Sequence, residues 1–110
     1  ERNAWQEAQM LPAFEPACMT VQFGHIMAGG YSAGYYSYKW AEVLDADAFA
    51  FFKQHGIFNQ EVATSFRKNI LELGGTKHPK LLYRNFRGQD ATIQALLERT
   101  GIVINEGESQ

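Results

Sequence analysis

The pattern of apolar and polar positions predicts one long helix in the middle of the chain. The apolar residues there recur every three to four positions, which is the spacing of one helix face, and charged residues take the other faces. Ser32 has the side chain of an N-cap, and Gly56 stands where a glycine ends a helix. We therefore predict a helix that begins after Gly30, at about Ser32, and ends at about Gln54. Its apolar stripe consists of Tyr36, Trp40, Val43, Leu44, Ala48, Phe51 and Phe52.

Shorter helices are predicted on both sides of this helix, and no alternating stretch of useful length predicts a strand. The fold class is therefore all-α: an irregular helical domain of about five helices, with a loop rich in Gly and Tyr before the main helix. The other predicted elements are the end of a helix over Asn3–Met10, an ordered but irregular connection over Leu11–Gly30, a helix over Gln60–Leu71 capped by Asn59, and a helix that begins at Pro79. A last helix is predicted to be capped by Asp90 and ended by Gly101, with Ile93, Leu96 and Leu97 facing inward.

Composition and charge narrow the class of protein. The 110 residues have the length of one domain, so we predict a single helical domain over residues 1–110 with a disordered polar tail at 105–110. The formal net charge is −2 and there is no basic block, which argues against a nucleic-acid partner. Residues 16–38 carry no charge, but they are rich in Gly, Gln, Thr, Ser and His and poor in Leu, Ile and Val, which argues against a membrane span.

The first residues and the single cysteine bear on the compartment. The chain begins with Glu1 rather than Met, and its first residues lack the apolar run of an export signal. Cys18 has no cysteine partner in the sequence, which is compatible with a reducing compartment. We expect a piece of a longer polypeptide, located in the cytoplasm.

The segment from Gly24 to Tyr38 carries the distinctive chemistry of the chain. It contains four Gly, four Tyr and one His, and no charged residue. Glycines let the backbone take positive φ, and phenol groups both donate and accept hydrogen bonds. This composition is typical of a loop that closes over a ligand.

Two interpretations of the tyrosines remain open on the residues alone. If the helix begins close to Gly30, Tyr31, Tyr35 and Tyr38 share one face, at offsets of four and seven residues. That face could be a core stripe or a ligand-binding surface. Because a buried phenol needs a hydrogen-bond partner, a purely structural face would more simply consist of Phe or Leu.

His25 has three interpretations: a structural histidine, a metal ligand or a substrate contact. A zinc site needs several ligands at characteristic spacings, and the sequence has neither a His-Glu-x-x-His motif nor a cysteine pair. His55 and His78 are far away in sequence. We therefore predict that this chain by itself holds no metal.

The run His25–Leu44 closely resembles the zinc metallopeptidases of the thimet oligopeptidase family, with the bacterial oligopeptidase A and peptidyl-dipeptidase branch the most similar. The resemblance continues through residues 47–49, 56–58, 69–71, 74–75 and 86–88, and so covers about residues 20–103. The ordered pattern of His, Gly and Tyr over twenty residues is specific, whereas a glycine pair alone would be a weak signal.

The resemblance implies an almost wholly helical fold with two lobes around a deep channel, and a zinc ion held by a His-Glu-x-x-His helix and a further Glu. Since neither motif occurs here, the chain resembles the C-terminal, substrate-binding portion of such an enzyme. Its expected partners are short peptide substrates and the upstream zinc-binding part of the same polypeptide. The isolated chain is expected to be inactive.

The resemblance also implies the site residues. They are the catalytic tyrosines Tyr38 and Tyr31, and His25, Tyr35, Gly29 and Gly30 as substrate-binding residues, with no metal ligand. The chemistry agrees, because a phenol O–H aimed at a peptide carbonyl oxygen stabilises the negative charge that develops there when water attacks. Zinc in the parent enzyme would polarise the carbonyl and activate the water.

Two other function classes remain open. A stand-alone peptide-binding module without catalysis would use the same tyrosine-rich loop. A structural helical interaction domain would instead use the aromatic side chains, among them Tyr36, Trp40, Phe51 and Phe52, as a packing surface.

Overall fold

The computed structural model describes residues 1–12, 14 and 16–102, and these residues confirm the all-α prediction. No strand occurs in the described part of the chain. The tail predicted at 105–110 lies outside the described residues. In chain order the elements are α1 (Arg2–Ala8), α2 (Met19–Gln22), α3 (Gly24–Met27), α4 (Ser37–His55), α5 (Gln60–Phe66), a π-helical turn (Arg67–Leu71), a 3-10 turn (Gly74–Thr76), α6 (Pro79–Arg87) and α7 (Gln94–Arg99).

The described chain divides into two compact units. The first unit is Glu1–Ser37, and the second begins at Tyr38. The first unit contains α1 to α3, none of which has a buried residue among those described, and the glycine–tyrosine segment. The second unit contains α4 beyond its first residue and α5 to α7. That residues 1–110 form one domain stays a prediction.

The main helix begins later than the sequence predicted. α4 starts at Ser37, not near Ser32, and the residues before it form turns in which the Gly34 and Tyr35 amides donate to the Tyr31 carbonyl at 3.1 Å each. Gly34 gives a physical reason, since glycine inside a helix costs about 1 kcal/mol relative to alanine. The predicted end is confirmed to within one residue, because α4 ends at His55.

The core of the second unit joins α4, α5 and α6. Phe86 is 5% exposed, and its ring centroid lies 5.1 Å from that of Phe66 and 5.4 Å from that of Phe51. The buried members are Ala48, Val62, Tyr83 and Phe86, with Leu44, Phe51, Phe52, Phe66, Ile70 and Ala91 packed against them. Tyr36 and Trp40, predicted in the apolar stripe, are 73% and 62% exposed. The buried face of α4 therefore begins beyond its first turns.

The predicted starts of α5 and α6 are confirmed. Asn59 Oδ1 accepts hydrogen bonds from the Glu61 amide at 2.9 Å and the Val62 amide at 3.2 Å, so Asn59 is the N-cap of α5. Pro79 is the first residue of α6, where its missing N–H costs nothing. The predicted helix over Gln60–Leu71 is α-helical only to Phe66 and then continues as the π-helical turn.

The prediction for the last helix is wrong at its start. α7 begins at Gln94, and Ile93 precedes it with 58% exposure rather than facing inward. Asp90 does not cap α7, because its carboxylate is paired with Arg84 at 2.6 Å and Lys80 at 3.2 Å. The ion pairs with α6 thus take the place of the predicted cap.

The connection over Leu11–Gly30 was predicted to be ordered but irregular, and its described residues include the one-turn helices α2 and α3. Within the described part of the chain, no helix combines the length and the apolar character needed to span a bilayer.

Candidate functional site

An aromatic cluster forms in the first unit from Phe23, His25, Tyr31 and Tyr35. The centroid of the His25 ring lies 4.8 Å from that of Tyr31 and 5.6 Å from that of Tyr35. Tyr31 and Tyr35 are 5.8 Å apart, and Phe23 lies 4.5 Å from Tyr35. All four pairs meet edge to face, the geometry that aromatic rings prefer. The structure therefore brings three of the predicted site residues, His25, Tyr31 and Tyr35, into mutual contact.

Gly29 and Gly30 allow the chain to reverse direction and form this cluster. His25 lies on α3, and Gly29 and Gly30 follow it with φ of 88° and 80°. Residues with a Cβ rarely adopt such angles, so the reversal that brings Tyr31 back against His25 depends on glycine. A Cβ on Gly29 would lie 3.7 Å from Cδ2 of Tyr31, so space alone does not require glycine there.

The cluster lies at the protein surface. His25 is exposed, whereas Tyr31 and Tyr35 are half-buried. A groove of about 910 Å³ in the same unit adjoins the cluster through Phe23. Apolar side chains of α1, α2 and α3 make up most of its lining, among them Trp5, Met19, Ile26 and Met27. The first unit thus combines hydrogen-bonding aromatic groups with an apolar concave surface, which is the usual composition of a small-ligand site.

Tyr38, the other predicted catalytic tyrosine, lies at the start of the main helix. It is the second residue of α4, it is 45% exposed, and it belongs to the second unit. Because α4 begins at Ser37, the predicted helical face shared by Tyr31, Tyr35 and Tyr38 is wrong. Tyr31 and Tyr35 come together through a turn instead.

The arrangement of donor side chains decides whether the described residues could hold a metal ion. Among the residues that the structure describes, no group of three or more His, Cys, Asp or Glu side chains could hold a metal. Zinc sites in proteins use at least three such ligands. The described residues therefore do not fit a zinc ion.

Sequence reasoning missed a polar trio in the second unit, Asp47, Tyr83 and Arg87, of which Asp47 and Tyr83 are buried and Arg87 is half-buried. Asp47 is 3% exposed, and its Oδ2 accepts from the Tyr83 hydroxyl at 2.5 Å and from Arg87 Nε at 3.1 Å. Burial, and then the hydrogen bond with Asp47, raise the pKa of the Tyr83 phenol above its ordinary value. The guanidinium of Arg87 also lies 4.6 Å from the Phe51 ring centroid. A signal existed, since Tyr83 and Arg87 are four residues apart and so share a helix face.

The comparisons with known proteins give the class of this chain. Residues 1–102 match the model of peptidase family M3, and the chain belongs to that family. It is 55% identical over 80 residues to oligopeptidase A of Escherichia coli strain K12. The matched residues cover 73% of this chain and 12% of that protein.

More distant relatives support the same family. The chain is 43% identical over 101 residues to the probable cytosolic oligopeptidase A of Arabidopsis thaliana, covering 88% of this chain and 14% of that protein. It is 37% identical over 94 residues to dipeptidyl carboxypeptidase of Escherichia coli strain K12, covering 86% of this chain and 14% of that protein. The chain thus spans only 12% to 14% of the length of these relatives. The resemblance noted in the sequence is confirmed at the level of the family.

Proposed function

We propose that this chain is the C-terminal, substrate-binding portion of a zinc metallopeptidase that hydrolyses short peptides. The observation that carries the proposal is the aromatic cluster in a chain of peptidase family M3, whose relatives here are named oligopeptidase A and dipeptidyl carboxypeptidase. An imidazole and two phenols beside an apolar groove suit a peptide, which offers backbone carbonyls and amides together with apolar side chains.

In this proposal His25 and Tyr35 bind the peptide backbone, and Gly29 and Gly30 shape the loop that carries them. The edge-to-face contacts support the role, because each is worth about 0.5–1.5 kcal/mol and limits the orientations of the rings. The positive φ angles of the two glycines support a loop with few alternatives to glycine.

Tyr38 and Tyr31 are the proposed catalytic residues, whose phenol O–H groups donate to the carbonyl oxygen as water adds to the peptide bond. Such donors act on the transition state more than on the ground state. The place of Tyr38 favours this role, because the first turn of α4 has no acidic residue and a helix N-terminus stabilises negative charge.

The zinc ion, in this proposal, is held by an upstream part of the same polypeptide, which is the partner of this chain. The isolated chain is expected to be inactive, and neither a nucleic acid nor a membrane is a proposed partner. We propose the cytoplasm as the compartment, in line with the name of the cytosolic relative, although another Arabidopsis relative is named as organellar.

The test is Tyr38→Phe in the full-length parent enzyme. We expect kcat to fall by about 10²–10³ with KM little changed, because one oxyanion donor is lost. Tyr36→Phe is the matched control. It removes the same phenol oxygen two positions earlier in the chain, from a side chain that is 73% exposed. An unchanged kcat in Tyr38→Phe would remove Tyr38 from the proposed reaction.

A second candidate is a peptide-binding module that needs no other part of the polypeptide. The observation in its favour is that the aromatic cluster and the groove both lie within the first unit. Calorimetric titration of the 110-residue chain with short peptides tests it. Binding below millimolar concentrations would favour the module, and the absence of heat at millimolar peptide would contradict it.

A further inference from the structure

The trio of Asp47, Tyr83 and Arg87 has no part in the proposed chemistry, yet Asp47, at 3% exposure, is the most buried charged residue among those described. It connects α4 with α6 across separations of 36 and 40 residues. The Tyr83 hydroxyl also lies 3.4 Å from the Leu44 carbonyl oxygen. The Tyr83 phenol thus contacts two groups that lie within one turn of α4, the Leu44 carbonyl and the Asp47 carboxylate.

These polar contacts restrict the rotation and the axial position of α4 more than apolar packing would. Apolar side chains of similar volume can repack after a small rotation, whereas a buried carboxylate that loses its donors is strongly destabilised. Advancing α4 by one residue would rotate it by about 100° and carry the Asp47 carboxylate away from Tyr83 and Arg87. The trio therefore selects one rotation and one axial position of α4.

The same helix carries Tyr38, and α4 is uninterrupted from Ser37 to His55. Tyr38 precedes Asp47 by nine residues, which corresponds to a rise of about 14 Å and a rotation of about 180° beyond two full turns. The two side chains thus leave α4 on opposite faces, and their exposures agree: 3% for Asp47 and 45% for Tyr38. Because α4 is one continuous helix, a rotation about its axis at Asp47 also turns the Tyr38 side chain.

We propose that Asp47, Tyr83 and Arg87 are positioning residues, which set the direction in which α4 presents the Tyr38 phenol. The inference rests on the proposed role of Tyr38. Its functional consequence is large, since a misplacement of about 1 Å in a catalytic group can cost about 10²-fold in rate.

The first experiment compares two aspartates on α4 in the full-length parent enzyme. Asp47→Asn weakens the trio, whereas the control Asp45→Asn changes the same residue type two positions away, where the side chain is 66% exposed and paired with Arg99. We expect Asp47→Asn to lower kcat by about tenfold or more with KM within about twofold of wild type, and Asp45→Asn to leave both constants within about twofold. Equal values of kcat in the two variants would overturn the proposal.

The second experiment separates positioning from a general loss of folded enzyme. Tyr83→Phe keeps the buried ring and removes only the hydroxyl, so the variant is expected to fold, which circular dichroism at the assay temperature checks. If Tyr83 acts through Tyr38, Tyr83→Phe lowers kcat in wild type but has no further effect in the Tyr38→Phe background.

The outcomes distinguish the two proposals. If Tyr83→Phe lowers kcat by the same factor in both backgrounds, the positioning inference is overturned while the role of Tyr38 stands. If Tyr38→Phe alone leaves kcat unchanged, the proposed function of Tyr38 fails, and the positioning inference fails with it.

Discussion

Tyr83 and Tyr31 are the same side chain in two regions that are built differently. Tyr83 is 7% exposed and donates to a buried carboxylate in the second unit. Tyr31 is half-buried in the first unit, where it contacts the rings of His25 and Tyr35 at the surface. The difference teaches that residue type alone does not assign a tyrosine to structure or to chemistry.

The physical basis of the difference is the amount of apolar surface that each region buries. In the second unit three helices bury one face each, so a polar group enclosed there needs partners of its own. In the first unit, α1 to α3 have no buried residue among those described, and the rings at its surface pack edge to face.

Phe86→Ala is expected to have the largest effect on stability. The Phe86 ring is 5% exposed and contacts the rings of Phe51 and Phe66, so its removal leaves a cavity that costs about 3–5 kcal/mol. Urea unfolding of the 110-residue chain measures the change. Phe58→Ala is the matched control, because Phe58 is 90% exposed, and we expect a change within about 0.5 kcal/mol. Similar losses in the two variants would contradict the assigned core.

Tyr83→Phe is expected to have the next largest effect, about 1.5–3 kcal/mol, because it removes a hydrogen bond to a charged acceptor. Tyr36→Phe, at a side chain that is 73% exposed, should stay within about 0.5 kcal/mol. Since the folded pKa of Tyr83 is raised above its unfolded value near 10.0, its contribution is present below that pH and is lost as pH rises through the folded pKa. Unfolding measured from neutral to alkaline pH should show this loss in wild type only; an identical alkaline profile in Tyr83→Phe would contradict the assignment.

Gly30→Ala tests the loop of the first unit. Its φ of 80° would cost about 1–2 kcal/mol for a residue with a Cβ, although no atom beyond the adjacent residues lies within 4 Å of the added carbon. We expect the Gly34 and Tyr35 amides, which donate to the Tyr31 carbonyl, to exchange hydrogen about 5–30 times faster. Gly34→Ala is the control: Gly34 lacks a positive φ, so Tyr35 should not exchange faster in that variant. Unchanged exchange in Gly30→Ala would show that the turn does not need the positive φ.

The ion pairs of Asp90 with Arg84 and Lys80 should contribute least to stability, because they lie at the surface of the second unit. The hydrogen bond from Arg84 holds the pKa of the Asp90 carboxyl below its ordinary value. The contribution of this pair is therefore present above the unfolded pKa and is lost as pH falls through the folded pKa. In an NMR titration, Arg84→Met should raise the pKa of Asp90, whereas Arg99→Met, which removes the partner of Asp45, should leave it unchanged. A fixed Asp90 pKa in Arg84→Met would contradict this assignment.

Local signals made much of the fold predictable. Asn59 and Pro79 mark the starts of α5 and α6, because an N-cap oxygen and a proline without N–H satisfy needs of the first helical turn alone. The prediction at Ser32 was wrong because the hydroxyl of a cap residue is a weak signal beside Gly34, which disfavours a helix at that point. Asp90 was misassigned because its partners, Arg84 and Lys80, lie on the preceding helix.

The sequence by itself determined the all-α class, the end of α4, the starts of α5 and α6, and the family, since capping, glycine positions and a specific run of residues are local properties. It also singled out His25, Tyr31, Tyr35 and Tyr38 as candidates. Only the tertiary structure decided that Asp47 meets Tyr83 and that the His25 ring meets Tyr31 and Tyr35. A contact between residues 36 positions apart depends on how helices pack, which no local pattern encodes.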